Sequence, residues 1–320
     1  MIFIKNGENF ERANDWTEIQ SRNNYYPRLE LREQQLADVF GYYEDLPQEI
    51  PCGKANCRKG HKKGFLVVTN EGFETNVGHV CGTNVFGLAF ETLAVDLENK
   101  ANFHRYLTAL RNAKKNLFIH YQTKARLESS KPSLEWIANR ILDMKDPKII
   151  GRATYQALKK MAGSGDGRII ISKRKSRKEA DLQDVMSQYP SSNADVIEGE
   201  EGAYSSTPAF KDELIGVVRY PESLLNDYDV ALIFERDIRL VLEELQRCNP
   251  DEMPEKKVMS FGIRVFRLEE RFRFLEERLE KARLFVTYDN LKPLSKMLSQ
   301  QKSVSNKDKL LFKKFLETLL

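Results

Sequence analysis

The sequence predicts a mainly α-helical protein with a small β component, in which a compact cysteine-rich module precedes long helices of an antiparallel helical or coiled-coil bundle. Three observations predict this class. Cysteines and histidines gather within residues 51–87, apolar residues recur at helical spacing through most of the remaining chain, and β-branched runs are short. With 320 residues, of which 31% are charged, we expect two or three compact units rich in exposed helix.

The first fifty residues predict one strand and one helix. A short strand is expected at residues 2–4. From Arg28 to Asp45, apolar residues recur at intervals that fit an amphipathic helix, and Pro47 and Pro51 end it. The residues that set this spacing are Leu29, Leu36, Val39, Phe40 and Tyr43.

Residues 51–87 hold three of the four cysteines and two of the four histidines. The first half reads C-x4-C-x3-H and the second reads H-x-C. Between them, an apolar run at residues 65–68, a turn at 70–72 and a return to Val77 predict a β-hairpin. Two short ligand clusters separated by a turn are a common way to build a tetrahedral Zn²⁺ site. Zinc is therefore the expected cofactor, and a disulfide framework is not expected because Cys248 stands alone in the rest of the chain.

The predicted zinc ligands are Cys52, Cys57, His61 and Cys81, with His79 as the alternative to His61. His61 lies four residues after Cys57 and can close a short turn before the next strand, which we call the knuckle (residues 52–61). His79 and Cys81 would point the same way in an extended segment. Four protein ligands leave no position for water, so the ion should be structural. The order of knuckle, hairpin and a ligand at the start of a helix resembles a treble-clef zinc finger.

Beyond the cysteine-rich stretch, helical spacing predicts one long helix from Asn84 to Leu127 with a break near Lys100. Shorter helices are expected at residues 134–144 and 147–161. The spacing of Leu, Ile and Phe residues in all three places an apolar stripe along one side. These segments predict a helical domain after the module.

Residues 163–220 predict a small β element. Strands are expected at residues 169–171 and 214–220. The sequence GSGDG at residues 163–167 resembles a phosphate-binding loop, but no GK[ST] follows it and a strand rather than a helix comes next. We therefore expect a flexible turn there and no nucleotide site.

The last hundred residues predict helices at 224–247, 261–286 and 307–320. The middle one carries an uninterrupted heptad seam, which needs a partner helix either from residues 224–247 or from a second copy of the chain. The seam residues are Phe261, Val265, Leu268, Phe272, Leu275, Leu279, Ala282 and Val286. The predicted organisation is an N-terminal strand and helix (1–50), a zinc module (51–87), a helical domain (88–162), a β element (163–220) and a C-terminal helical or coiled-coil domain (221–320).

Two basic clusters are candidate nucleic-acid contacts in a chain whose net charge is +4. Each cluster could contact phosphates or could simply be a solvated charged face. The first surrounds the knuckle and comprises Lys54, Arg58, Lys59, Lys62 and Lys63. The second follows the first strand of the β element and comprises Lys173, Arg174, Lys175, Arg177 and Lys178.

These patterns favour a non-catalytic, zinc-stabilised helical protein that binds nucleic acid or docks onto a nucleic-acid-handling complex. One alternative is a protein-interaction scaffold or an oligomerising subunit that uses the heptad helix. Another is an enzyme, either a treble-clef nuclease using His61, Asn76 and His79 or one with a carboxylate site assembled from distant segments. No HExxH, Walker sequence or nucleophile–base pair supports a catalytic assignment.

The sequence also bears on location. No apolar run approaches the ~18 residues of a membrane span, and the polar N-terminus does not read as a signal peptide. We therefore expect unpaired cysteines in a reducing cytoplasm, with no membrane partner and no small-molecule cofactor.

Overall fold

A computed structural model describes residues 1–7, 9–176 and 210–320 of the chain. The fold is mainly helical with a small β component, as the sequence predicts. The chain forms two compact units. Unit 1 comprises residues 1–120 and 241–268, and unit 2 comprises residues 121–240 and 269–320. This grouping differs from the five consecutive predicted segments, because each unit combines two separate parts of the chain.

Unit 1 contains a five-stranded antiparallel sheet in the order β2-β1-β3-β6-β7. The predicted strand at the N-terminus and the predicted hairpin are both confirmed as members of this sheet. A separate two-stranded ladder, β4–β5, lies within the cysteine-rich stretch. The strands are β1 (Ile2–Asn6), β2 (Asn9–Ala13), β3 (Leu36–Tyr43), β4 (Ile50–Pro51), β5 (Gly60–His61), β6 (Gly64–Thr69) and β7 (Glu74–Val77).

The predicted helix from Arg28 to Asp45 is wrong, because this segment contains a 3₁₀ turn at Glu33–Gln35 followed by strand β3. The pairing of β3 with β6 shifts register twice, between Leu36 and Asp38 and between Val39 and Gly41. Each irregularity adds a residue to the strand, so residues three apart can share a face. The bulges therefore produce apolar intervals that resemble helical periodicity.

Two hydrophobic clusters cover the two faces of the sheet. Helix α2 (His79–Lys115) packs on one face, where Phe86 and Phe90 contact Phe65 and its neighbours. The other face buries Phe40 and Tyr43 in a cluster with residues from α1 (Trp16–Gln20). The sheet is thus buried on both sides.

The predicted helix from Asn84 to Leu127 is observed as α2 and α3 (Leu117–Ser129), which are separated at Asn116. Within α2 the irregular point is Gly87, whose φ of 61° is accessible to glycine, and not the region of Lys100. Helix α2 is also long enough to cross a membrane, and one 18-residue window in it has a mean hydropathy of 1.3. Core helices of soluble proteins can share both properties.

The shorter elements of unit 2 largely follow the sequence pattern. The helix at residues 134–144 is confirmed as α4 (Leu134–Met144), capped by Ser133. The one predicted at 147–161 is divided at Gly151 into α5 (Pro147–Ile150) and α6 (Arg152–Ser164). The β element is confirmed as an antiparallel pair, β8 (Arg168–Arg174) and β9 (Phe210–Val217).

The helices predicted near the C-terminus are more segmented than the heptad pattern suggests. The segment predicted as one helix from 224 to 247 begins with two 3₁₀ turns and contains a π-helical stretch, Phe234–Arg239. The predicted heptad helix is interrupted at Arg267. The observed helices are α7 (Val230–Ile233), α8 (Leu240–Arg247), α9 (Glu255–Phe266), α10 (Leu268–Phe285), α11 (Tyr288–Gln300) and α12 (Asn306–Glu317).

All eight residues of the heptad seam are buried within the chain, with exposed fractions of 5% or less. In unit 1, α9 packs along α2, which covers the first part of the seam. The apolar side chains of the seam are thus enclosed without a second copy.

Replacing Leu275, which is fully buried in unit 2, tests this internal role. Leu275→Ala should lower the free energy of unfolding by about 2–5 kcal/mol, measured by denaturant titration, without changing the sedimentation mass. The exposed neighbour Arg273 supplies the control, and Arg273→Ala should change stability by no more than about 0.5 kcal/mol. An unfolding midpoint that rises with protein concentration would instead show that the seam joins two copies.

Candidate metal centre

Three thiols converge in unit 1. The Sγ atoms of Cys52, Cys57 and Cys81 all lie within 4.8 Å of one another, and those of Cys57 and Cys81 are 3.5 Å apart. Around a tetrahedral zinc ion with Zn–S bonds of about 2.3 Å, sulfur atoms are separated by about 3.8 Å. The observed separation is too long for a disulfide bond of about 2 Å. The separations of the three thiols are therefore compatible with a shared metal ion.

The backbone between the first two cysteines folds into a closed loop. The N–H of Cys52 donates to the carbonyl of Lys59 at 2.9 Å, and the N–H of Cys57 donates to the carbonyl of Lys54 at 2.9 Å. These bonds satisfy backbone groups in a segment without regular structure and bring both thiols to one side. The C-x4-C spacing thus forms a knuckle of its own.

Close backbone contacts fix this loop against the sheet. The N–H of Gly53 donates to the carbonyl of Asn76 in β7 at 2.7 Å, and the carbonyl of Gly53 accepts from Leu29 at 2.7 Å. A Cβ atom at Gly53 would lie 1.9 Å from the hydroxyl oxygen of Thr75, so this approach requires glycine. The loop therefore lies directly on the edge strand.

Cys81 reaches the cluster from the first turn of α2. Gly78 is the N-cap of this helix, and Cys81 follows three residues later. The unpaired N–H groups of a helix N-terminus favour a nearby thiolate. Since α2 packs on the sheet through Phe86 and Phe90, the position of Cys81 is set by the hydrophobic core.

The electrostatic environments of the thiols differ. A hydrogen bond from the backbone N–H of Lys59 lowers the pKa of Cys57, whereas burial raises the pKa of Cys81 to about 12. A metal ion binds the deprotonated form, so it would displace a proton from Cys81. If the three thiols were deprotonated, their negative charges would repel one another at these distances. A divalent cation would offset that repulsion.

Within the described residues, the group of close ligand atoms contains three cysteines and no histidine. The Nδ1 atom of His61 lies 2.8 Å from the hydroxyl oxygen of Tyr43, and its Nε2 atom is buried and has no hydrogen-bond partner in the described part of the chain. Burial also lowers the pKa of His61, which favours the neutral ring that metal binding needs. His79 is exposed, and its ring centroid lies 6.1 Å from that of Phe65. The fourth ligand is thus not placed by this geometry.

A buried polar chain that sequence reasoning missed lies beside His61. The hydroxyl of Tyr25 donates to Asn76 Oδ1 at 2.7 Å, and Asn76 Nδ2 lies 3.2 Å from the Tyr43 hydroxyl and 2.9 Å from the carbonyl of Pro51. The amide of Asn76 is engaged in these hydrogen bonds, whereas the nuclease alternative would use Asn76 with His61 and His79 at a catalytic metal. No spacing rule links Tyr43 to His61, so the sequence alone does not indicate these hydrogen bonds.

The basic residues of the knuckle are largely available. Arg58, Lys59 and Lys62 are exposed and Lys54 is half-buried, and none of the four forms an ion pair within the described part of the chain. Lys63 differs, because its Nζ atom lies 2.7 Å from Glu98 and above the Tyr42 ring. Among the described residues, four of the five predicted contacts therefore have no ion-pair partner and can meet an external anion.

The second basic cluster belongs to unit 2. Lys173 forms an ion pair of 2.6 Å with Glu213 across the β8–β9 ladder. Arg174 is exposed and pairs with Phe210 in the ladder, and Lys175 is half-buried. Arg177 and Lys178 lie outside the described residues. This cluster supports phosphate contact less directly than the knuckle does.

Removing single thiols tests the metal centre. The wild type should hold one equivalent of zinc after purification, and Cys81→Ser should lose tight binding because two thiols remain. Cys248→Ser removes the fourth cysteine, outside the cluster, and should keep the full equivalent. Metal content measured by mass spectrometry of the native protein separates these outcomes. Equal zinc content in both variants would show that the cluster does not bind the ion.

Comparison with known proteins finds no matching family model, no similar curated protein and no similar solved structure. The geometry of the chain itself therefore carries the functional argument.

Proposed function

We propose that this chain is a non-catalytic, zinc-stabilised protein that binds nucleic acid through the loop holding its first two zinc ligands. The observation that carries the proposal is a set of cations on and beside that loop that form no ion pair with any described residue, next to three thiols at metal-binding separation. The cations are Lys54, Arg58, Lys59 and Lys62.

The charge of this loop exceeds what the metal centre needs. Three thiolates and one Zn²⁺ ion leave a net charge of −1, which a single lysine could balance. Residues 52–70 contain five basic and no acidic residues. The surplus creates a positive surface, and such surfaces attract polyanions.

The zinc ion contributes rigidity to this surface. A bound zinc ion would hold the knuckle, the hairpin and the start of α2 together. The cations would then lose little conformational entropy when nucleic acid binds. Lysine and arginine on a fixed loop contact phosphates rather than base edges, which predicts binding with little sequence preference. A zinc ion of this kind supports structure and performs no chemistry.

The competing proposal is a protein-interaction scaffold. The heptad seam is already covered within the chain, so a scaffold would have to use another surface. Exposed apolar residues on β8 and β9 offer one, since Ile170, Phe210 and Leu214 are each about half exposed. This alternative predicts no salt-dependent affinity for nucleic acid.

Neutralising the knuckle tests the proposal. A variant with Lys54, Arg58, Lys59 and Lys62 all replaced by alanine should bind single-stranded and duplex oligonucleotides more weakly. The slope of log affinity against log salt should fall by about 3–4 units, because each lost phosphate contact removes ~0.7–0.9. Fluorescence anisotropy between about 50 and 200 mM salt measures this slope.

The control removes four positive charges elsewhere. Lys302, Lys307, Lys313 and Lys314 are exposed and form no ion pair in the described part of the chain. Their replacement by alanine should leave the salt slope within about one unit of the wild type. Equal losses in both variants would indicate non-specific attraction, and wild-type protein that does not bind at low salt would refute the proposal.

A further inference from the structure

We propose that His61 completes the zinc site through Nε2 and that the hydroxyl of Tyr43 is the group that orients its imidazole. This inference depends on the zinc centre proposed above and identifies its fourth ligand. It assigns to Tyr43 a positioning role that follows from the folded structure.

The strand pairing places His61 close to the first cysteine. In the β4–β5 ladder, His61 lies opposite Ile50, and the ladder continues with the bond from Cys52 N–H to the Lys59 carbonyl. Cys52 thus lies two residues beyond the ladder partner of His61, which brings the cysteine loop and the His61 ring into the same part of unit 1.

The free nitrogen of the ring faces the helix that carries another thiol. A Cβ atom built on Gly78 would lie 3.0 Å from Cδ2 of His61 and 3.4 Å from Nε2. Gly78 is the N-cap of α2, one turn before Cys81. The Nε2 edge thus lies beside the start of α2.

The Nε2 atom has no partner among the described residues. It is buried and forms no hydrogen bond within the described part of the structure. A buried polar atom without a partner is unfavourable, and a bound metal ion would supply the missing partner. Because His61 lies outside the close thiol group, ligation requires its ring to move toward the three sulfur atoms.

The opposite nitrogen is held in the way that metal-binding histidines require. A ligand that binds through Nε2 carries its proton on Nδ1 and donates it to a neighbouring acceptor. The Tyr43 oxygen lies 2.8 Å from Nδ1, and the two rings are stacked with centroids 5.8 Å apart. A hydroxyl oxygen has two acceptor positions, which can serve both Nδ1–H of His61 and Nδ2–H of Asn76.

Tyr43 is itself fixed. Both Tyr43 and Asn76 are fully buried, and the Asn76 amide is anchored by Tyr25 and by the carbonyl of Pro51. The hydroxyl therefore has one position relative to the sheet. A rigid acceptor of this kind restrains the plane and the tautomer of the imidazole.

His79 is the competing ligand. It is the first residue of α2 and is exposed, and its ring lies near the rings of Phe65 and Phe90. Among the described residues, no hydrogen bond orients its nitrogens. Its replacement is therefore the matched control for replacement of His61.

Zinc affinity, measured by competition with a chelator, tests both residues. His61→Ala should weaken binding by well over tenfold, and His79→Ala should leave it within about threefold of the wild type. Tyr43→Phe should weaken binding about 10–100-fold, the range typical for groups that orient a ligand. Tyr42→Phe is its control, because the Tyr42 hydroxyl donates to Glu44 at 2.6 Å and does not contact His61.

Long-range ¹H–¹⁵N correlation spectra of the zinc-loaded protein give a readout that a loss of stability would not imitate. We expect zinc on Nε2 of His61 and a proton on Nδ1 in the wild type. In Tyr43→Phe we expect exchange between ring states. Zinc on Nδ1, zinc on His79, or unchanged affinity in His61→Ala would overturn the inference while leaving the three-cysteine site intact. Loss of zinc in Cys81→Ser tests that site separately, and a wild-type chain that binds no zinc would refute both.

Discussion

Cys52 and Cys57 come from one short loop and Cys81 comes from a helix beyond a β-hairpin, so a group that holds all three sulfur atoms fixes loop, hairpin and helix together. The same helix packs on the sheet through Phe86 and Phe90, and Cys52 belongs to that hydrophobic cluster. A metal ion bound by these thiols would therefore stabilise the same unit that the hydrophobic core stabilises. Structural zinc commonly stabilises small modules whose own core is limited. Here the cluster extends a core that the sheet and α2 already form.

Local patterns predicted the parts of the fold that depend on local chemistry. The hairpin at residues 64–77 and the helix at 134–144 follow from apolar runs and from a serine cap, and both are found. Strand β3 was predicted as a helix because its bulges change the apolar interval from two residues to three. The heptad seam extends across Arg267, where the helix is interrupted. Since the apolar spacing continues through that point, periodicity alone could not reveal the break.

The site was predictable to a similar extent. The spacing of Cys52, Cys57 and Cys81 predicted a common site, and their sulfur atoms do lie close together. The fourth ligand that we propose, His61, lies beside Tyr43 and Gly78, and both are distant from it in sequence. The requirement for glycine at position 53 is likewise a tertiary contact. Of the predicted basic contacts, Lys63 forms an ion pair with Glu98 and Lys173 forms one with Glu213. No sequence pattern predicted these partners.

X-ray absorption spectroscopy at the zinc edge of the purified protein tests the central claim most directly, because it counts donor atoms around the ion without altering the chain. Three thiolates and one imidazole predict a first shell of three sulfur atoms at about 2.3 Å and one nitrogen at about 2.0 Å. A shell of oxygen and nitrogen atoms with one sulfur or none would contradict the account. The same holds for a chain that retains no zinc at all.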